Sequence, residues 1–287
     1  MTLRFPYIAL LLALLAGSVQ ALEIHSGDWR QGAIIRGSVP PGSELTVDDK
    51  PVQVSDKGLF VFGLDRDAAP SLTLTVNPPE AEPEVKQFEV KARDYRIQRI
   101  EGVPQSTVTP NPEQVARARK EAAMAWKARQ KVLERTDFMT DFQWPLTGII
   151  TGVYGSQRYY NGEPRRPHYG VDIAAPKGSE VVAPAPGVVT LVHDDMFFSG
   201  GTLIVDHGQG LSSTFIHLHK ILVEEGDEVA QGQTIAQVGA TGRATGPHLD
   251  WRMNWFDRRV DPTTLVGPMP ETDAGTEDGE GKAPKGS

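Results

Sequence analysis

None of the 287 residues is cysteine, so the chain has no disulfide framework, no thiolate zinc site and no cysteine nucleophile. Any metal must therefore be held by His, Asp or Glu. An excess of basic charge is missing as well. The formal net charge is -8, which argues against a nucleic-acid partner, because such binders carry a basic patch. Long apolar runs are absent apart from one near the start. Ile8 to Ala16 is too short to span a bilayer comfortably. Arg4 precedes it and the small residues Val19 and Ala21 follow, so residues 1–21 read as a secretory signal peptide.

The remainder reads as mainly β. Over residues 22–95, Leu45–Val47, Val52–Val54, Phe60–Leu64 and Leu72–Val76 alternate with period two, and Pro40–Gly42, Asp48–Lys50, Asp56–Gly58 and Asn77–Pro79 supply turns. This pattern predicts a small antiparallel β-sandwich. Its single histidine, His25, has no catalytic neighbours in sequence, so a packing or accessory role is expected. Residues 96–141 form a linker. There Asn111 can cap a helix, Pro112 suits its first position, and Val115, Ala118, Ala122, Ala125, Trp126 and Leu133 recur at helical steps. One helix over 112–135 is expected, with its lysines and arginines on a solvated face. Residues 142–266 are rich in Gly and Val and read as a second β domain. Residues 267–287 have little to bury and are expected to be disordered.

Six of the seven histidines lie between His168 and His248. His168 and Asp172 would share one face of a strand but stand about 13 Å apart, too far for one metal, so the chain must bend, with Gly170 supplying the freedom. His217 and His219 follow the plausible strand Leu211–Ile216. Spacing alone leaves a chelating pair and an ordinary surface pair both open. Gly239, Gly242 and Gly246 permit a tight loop before His248 and Asp250, which share a strand face opposite Leu249 and Trp251. The stretches Ser179–Val189 and Glu225–Ile235 look like the hammerheads of a lipoyl-type carrier. The span Asp194–Phe198 between them holds no lysine, which argues against a carrier.

The ordered set His168–Asp172, Ala174–Gly178, Gly187–Val189, Asp206–Gly208, Phe215–Leu218 and Gly246–Leu249 resembles the lysostaphin/LytM-type zinc metallopeptidases over about residues 144–262. Upstream, Tyr95–Gly102 and the β domain are similar to secreted Gram-negative members. The resemblance implies a LytM-like antiparallel β-sheet metallopeptidase domain. It also implies a periplasmic zinc metalloendopeptidase that cuts peptide cross-links in peptidoglycan, in Gram-negative relatives usually between D-alanine and diaminopimelate. By position it makes His168, Asp172 and Asp250 the metal ligands and His217 and His248 the catalytic imidazoles, leaving His219 a bystander. Asp250 departs from the family, which has a third imidazole there. Two carboxylates would neutralise a zinc ion, weaken it as a Lewis acid and admit other divalent metals. An alternative implied by relatives that have lost ligands is an inactive regulator that binds and activates a partner wall hydrolase.

Overall fold

A computed structural model describes residues 21–101 and 111–270, so the expected signal segment before Ala21 and most of the expected tail lie outside the described residues. The N-terminal part holds β1 (Glu23–Ser26), β2 (Ile34–Ser38), β3 (Glu44–Val47), β4 (Lys50–Val52), β5 (Leu59–Gly63), β6 (Ser71–Asn77) and β7 (Glu84–Glu89). They form two antiparallel sheets, ordered β1-β2-β5 and β4-β3-β6-β7. In β6 the apolar Leu72, Leu74 and Val76 are buried while their neighbours are half-exposed, as strict alternation requires of a strand with one wet face. These residues share one core with Ile35, Phe60 and Phe62 of the other sheet.

The segment expected as linker is more structured than its composition suggests. It begins with β8 (Ile97–Ile100). After the segment that is not described comes α1 (Pro112–Arg129), and then a short 3-10 turn, Asp137–Met139. The Asn111–Gln114 capping box and Pro112 start α1 as expected. The helix stops at Arg129, six residues short of the expected end at Arg135. Its C-terminal neighbour Gln130 donates to Asp257, the Leu133 carbonyl accepts from the Gln209 amide, and Arg135 pairs with Glu228, so tertiary partners take over where the periodic pattern alone would continue. The buried stripe also differs from the expected one. Ala125 and Ala128 pack on Leu191, Met196 and Ile204, whereas Trp126 is exposed. Glu121 is buried instead, accepting from the Phe197 amide and from Arg117.

The C-terminal part comprises β9 (Ile149–Gly152), β10 (Gln157–Tyr160), β11 (Glu163–Pro164), β12 (Val171–Ala174), β13 (Glu180–Val182), β14 (Gly187–Met196), β15 (Gly200–Asp206), β16 (Leu211–Ile221), β17 (Glu228–Val229), β18 (Thr234–Val238), β19 (His248–Trp255) and β20 (Arg258–Val260). Its large sheet runs β17-β14-β15-β16-β19-β12-β9, with antiparallel pairing along that path. On β19, Leu249, Trp251 and Met253 are fully buried on one face. The other face carries His248, Asp250, Arg252 and Asn254. β8 pairs in parallel with β10, which ties the end of the N-terminal part to the segment just ahead of His168.

The two parts share a single apolar core. Phe62 meets Trp255 edge-on at 6.5 Å, and the Arg36 guanidinium donates to the carbonyls of Phe138 and Thr140 at 3.1 and 2.8 Å. Gly63 lies so close to Val260 and Trp255 that a Cβ would collide with them. These contacts fall toward the C-terminal end of β19, away from His248.

Beneath the sheet, Asp206 accepts from the Gly208 amide through Oδ1, while its buried Oδ2 has no hydrogen-bond partner. Burial pushes its carboxyl up to about 7 from an ordinary 3.8. The folded state then holds a proton that the unfolded state has released, so this group's contribution is fully present below about pH 4 and is lost as pH rises through about 7. Asp206→Asn keeps the oxygen acceptor without the charge. It is expected to be more stable than the parent at pH 8, by up to about 4 kcal/mol, with the gap closing near pH 4. Urea unfolding of both proteins across that range checks it, and a gap independent of pH would count against it. His207, buried and pushed down to about 4, titrates alike in both proteins and cancels.

Candidate metal centre

The register of β12 on β19 builds the site. Asp172 lies directly opposite Asp250, and Ala174 opposite His248. His168 sits in the bend ahead of β12. Its amide donates to the Ser156 carbonyl and its own carbonyl accepts from the Gly155 amide, at 2.9 and 2.7 Å. The expected bend therefore brings His168 Nε2 to 3.2 Å from Asp172 Oδ1. Two glycines make room. A Cβ at Gly152 would strike the Asp172 carboxylate, and one at Gly170 would strike that of Asp250.

His168, Asp172 and Asp250 each offer an atom within 4.8 Å of the others. His168 Nε2 and Asp172 Oδ1 are buried and have no hydrogen-bond partner. Converging buried donors left unsatisfied by the protein are costly unless a ligand completes them, and a nitrogen with two carboxylates is a donor set that zinc accepts. The residues present thus fit a divalent cation. Arg158, from β10, stands 3.6 Å from the other Asp172 oxygen.

His217 comes to the site through an irregularity that spacing could not reveal. Within β16 it has φ +65°, at a break in register between the Phe215–Leu203 and Leu218–Gly201 pairs. A non-glycine residue held there is strained by roughly 1–3 kcal/mol, and such strain persists where the surroundings enforce it. They do so here. The His217 amide donates to the Ser199 carbonyl, and Nδ1 donates to the Thr241 carbonyl at 2.8 Å. Thr241 is pinned in turn, since its hydroxyl donates to the Leu218 carbonyl and accepts from the Gly201 amide. Gly239, Gly200 and Gly242 allow this loop to press against β15 and β16. The His217 ring lies 4.8 Å from that of His248. His248 Nδ1 donates to the Gly246 carbonyl, and its Nε2 stands 3.9 Å from Asp172 Oδ1. In both rings the carbonyl fixes the tautomer with the proton on Nδ1 and leaves Nε2 for chemistry. Burial holds His217 below the usual imidazole pKa against the opposing pull of the Thr241 carbonyl and Asp250, so it is neutral at pH 7.

All five expected site residues therefore converge. His219 does not: it is exposed on the far side of the bulge, so the chelating pair left open by spacing does not form. Sequence reasoning passed over Thr241, which anchors His217, and Arg252. The latter forks onto Asp250, with Nε 2.9 Å from Oδ1 and Nη2 2.5 Å from Oδ2. A signal for it was present, because residues two apart on a strand share a face. Burial opposes ionisation of Asp250, but the Arg252 guanidinium outweighs it and holds the carboxyl well below its usual range.

Comparison with known proteins agrees with this geometry. Residues 166–262 match the model described as Peptidase family M23. Among curated proteins, an uncharacterized metalloprotease of Haemophilus influenzae is 38% identical over 117 residues, which is 41% of this chain and 24% of that one. The peptidoglycan DD-endopeptidase ShyA of Vibrio cholerae is 37% identical over 118 residues, 38% of this chain and 27% of the relative. The matches thus span about a quarter of those relatives' lengths. A crystal structure of a peptidase M23 from Pseudomonas aeruginosa is 30% identical, with a TM-score of 0.66 over 84% of this chain and 96% of that one. The likeness to that structure takes in the N-terminal sheets as well as the matched region, and the chain belongs to Peptidase family M23.

Proposed function

We propose that the protein is a zinc-dependent endopeptidase that hydrolyses peptide cross-links in peptidoglycan, acting in the periplasm after export by its N-terminal signal. The observation that carries this reading is the meeting of His168 Nε2 and Asp172 Oδ1, buried and without hydrogen-bond partners, with Asp250 beside them and two imidazoles alongside. Relatives described as peptidoglycan DD-endopeptidases supply the substrate class.

His168, Asp172 and Asp250 would hold the metal. When bound, it would supply Lewis acidity to polarise a carbonyl and activate water. The remaining steps belong to the chain. Neutral His217 presents an unprotonated Nε2 that can accept a proton from, or orient, the attacking water. His248, with its Nδ1–H anchored on the Gly246 carbonyl, presents an unprotonated Nε2 that can take up a proton from the attacking water and then donate it to the oxyanion or the leaving amine. Arg158, on β10 ahead of His168, is placed to steady Asp172. The alternative, an inactive regulator of a partner hydrolase, has less support, because unsatisfied donors would be a pointless cost at a site that holds nothing.

The test is digestion of purified, cross-linked sacculi by the full chain, with the metal content measured on the same preparation. About one zinc per chain is expected, with cleavage of stem-peptide cross-links that a chelator stops and zinc restores. Protein that carries no metal under saturating zinc and releases no fragments would sink the enzyme reading and leave the regulator.

A further inference from the structure

A neutral imidazole and two carboxylates would give the pocket two negative charges. Set against a divalent cation, that is the weakened Lewis acid expected from Asp250. The structure changes this balance, because Arg252 lies on the same face of β19 and forks onto both Asp250 oxygens. Asp250 is almost wholly buried, its side chain 3% exposed, against 27% for that of Arg252. A carboxylate this deep needs a partner of its own, whether or not a cation is bound nearby. The fork also fixes the plane of the carboxylate. Gly170 borders it on the Oδ1 side, where a Cβ would collide with that oxygen.

We propose that Asp250 and Arg252 act as one unit. The guanidinium cancels the charge of the additional carboxylate, so the pocket of His168, Asp172 and Asp250 keeps one net negative charge, and it orients Asp250 toward the cation. Arg252 is a positioning residue in this scheme, since it acts through Asp250. The inference rests on the metal-centre reading proposed above. It also alters what is expected of the simplest substitution. From sequence alone, Asp250→His restores the family's usual ligand and should leave activity equal or higher. With Arg252 in place, the same change sets an imidazole against a half-buried guanidinium that has lost its carboxylate.

The experiment measures zinc and manganese affinities of the full chain by competition with a chromophoric chelator. Folding of each variant is checked by circular dichroism. Asp250→His is expected to weaken zinc binding by about ten- to a hundredfold, and Asp250→His with Arg252→Gln to recover to within about threefold of the parent. Arg252→Gln alone leaves two uncompensated carboxylates and is expected to shift preference from zinc toward manganese by about tenfold. Arg259→Gln serves as a control. It removes a nearby positive charge that does not touch Asp250, and is expected to leave both affinities within about threefold. Equal zinc affinity in the Asp250→His single and double variants, or equal selectivity changes in the Arg252 and Arg259 variants, overturns the pairing. Should Asp250→His fail to fold, the selectivity of Arg252→Gln decides alone, and an unchanged ratio overturns the proposal. A parent that binds neither metal takes down the metal-centre reading and this inference with it. A parent that binds zinc without coupling between the two positions takes down this inference only.

Discussion

Alanine at His248 is expected to cut hydrolysis of cross-linked peptidoglycan by about 10²- to 10⁴-fold while leaving the zinc content unchanged. The geometry separates this residue from the ligands. Its Nδ1 is committed to the Gly246 carbonyl, and its Nε2 lies 3.9 Å from Asp172 Oδ1, against 3.2 Å for His168 Nε2. His248 is also the first residue of β19, where the strand can spare the side chain. Backbone pairing of β19 with β12 and β16 does not use the ring, and the core-facing neighbours are Leu249 and Trp251. The variant should therefore fold and load metal normally, so that the loss falls on turnover. Fragment release from sacculi and zinc content measured on one preparation check this. Activity within about threefold of the parent would remove His248 from the catalytic machinery, because general acid or base assistance is worth far more than that. A loss of zinc would move it into the ligand set instead.

Asp261→Ala is expected to lower stability by about 3 kcal/mol, a fall in melting temperature of about 6–12 °C for a chain of this size. Asp261 follows β20 and is nearly inaccessible, its side chain 2% exposed against 25% for its partner Arg93. It accepts from Arg93 at 2.7 Å and from both the amide and the hydroxyl of Thr263, which start the short 3-10 turn Pro262–Thr264. Arg93 follows the N-terminal sheets, so this carboxylate ties the N-terminal part to the C-terminal part. The asymmetry of exposure gives a second, ordered expectation. Arg93→Met should cost more than Asp261→Ala, since it leaves a deeply buried carboxylate with only its two bonds to Thr263, whereas Asp261→Ala leaves a guanidinium that a partly wet site can hydrate. Thermal unfolding of both variants tests the order. A clearly smaller loss in Arg93→Met would mean that the capping of the turn, and not the ion pair, carries the contribution.

The sequence marked the elements whose pattern is local. Alternation in Leu72–Val76 or His248–Trp251 specifies a strand and its two faces, because side chains leave a pleated chain on opposite sides. The Asn111–Gln114 box specified where α1 starts, because capping is a matter of four consecutive residues. The end of that helix was not legible. It stops at Arg129, beyond which Asp257, Gln209 and Glu228 hold the chain, and those partners are distant in sequence. The buried face of α1 was misread for the same reason: Glu121 is buried by its bonds to Arg117 and Phe197, which no hydrophobic period announces.

At the site, the donor types were legible from residue types alone. With no cysteine, the clustered histidines and aspartates were the available ligands, and the motif order assigned their roles. Which of them meet is a property of strand pairing and of long-range contacts. Pairing of β12 with β19 sets Asp172 against Asp250. A bend held by Ser156 and Gly155 turns His168 back onto Asp172. A strained residue in β16 brings His217 to His248 and leaves His219 outside. Arg252 was visible as a letter two places beyond Asp250, but its effect on the charge of the pocket depends on burial. Charge pairing is strong only where water is excluded, and which groups lose their water is a property of the folded chain.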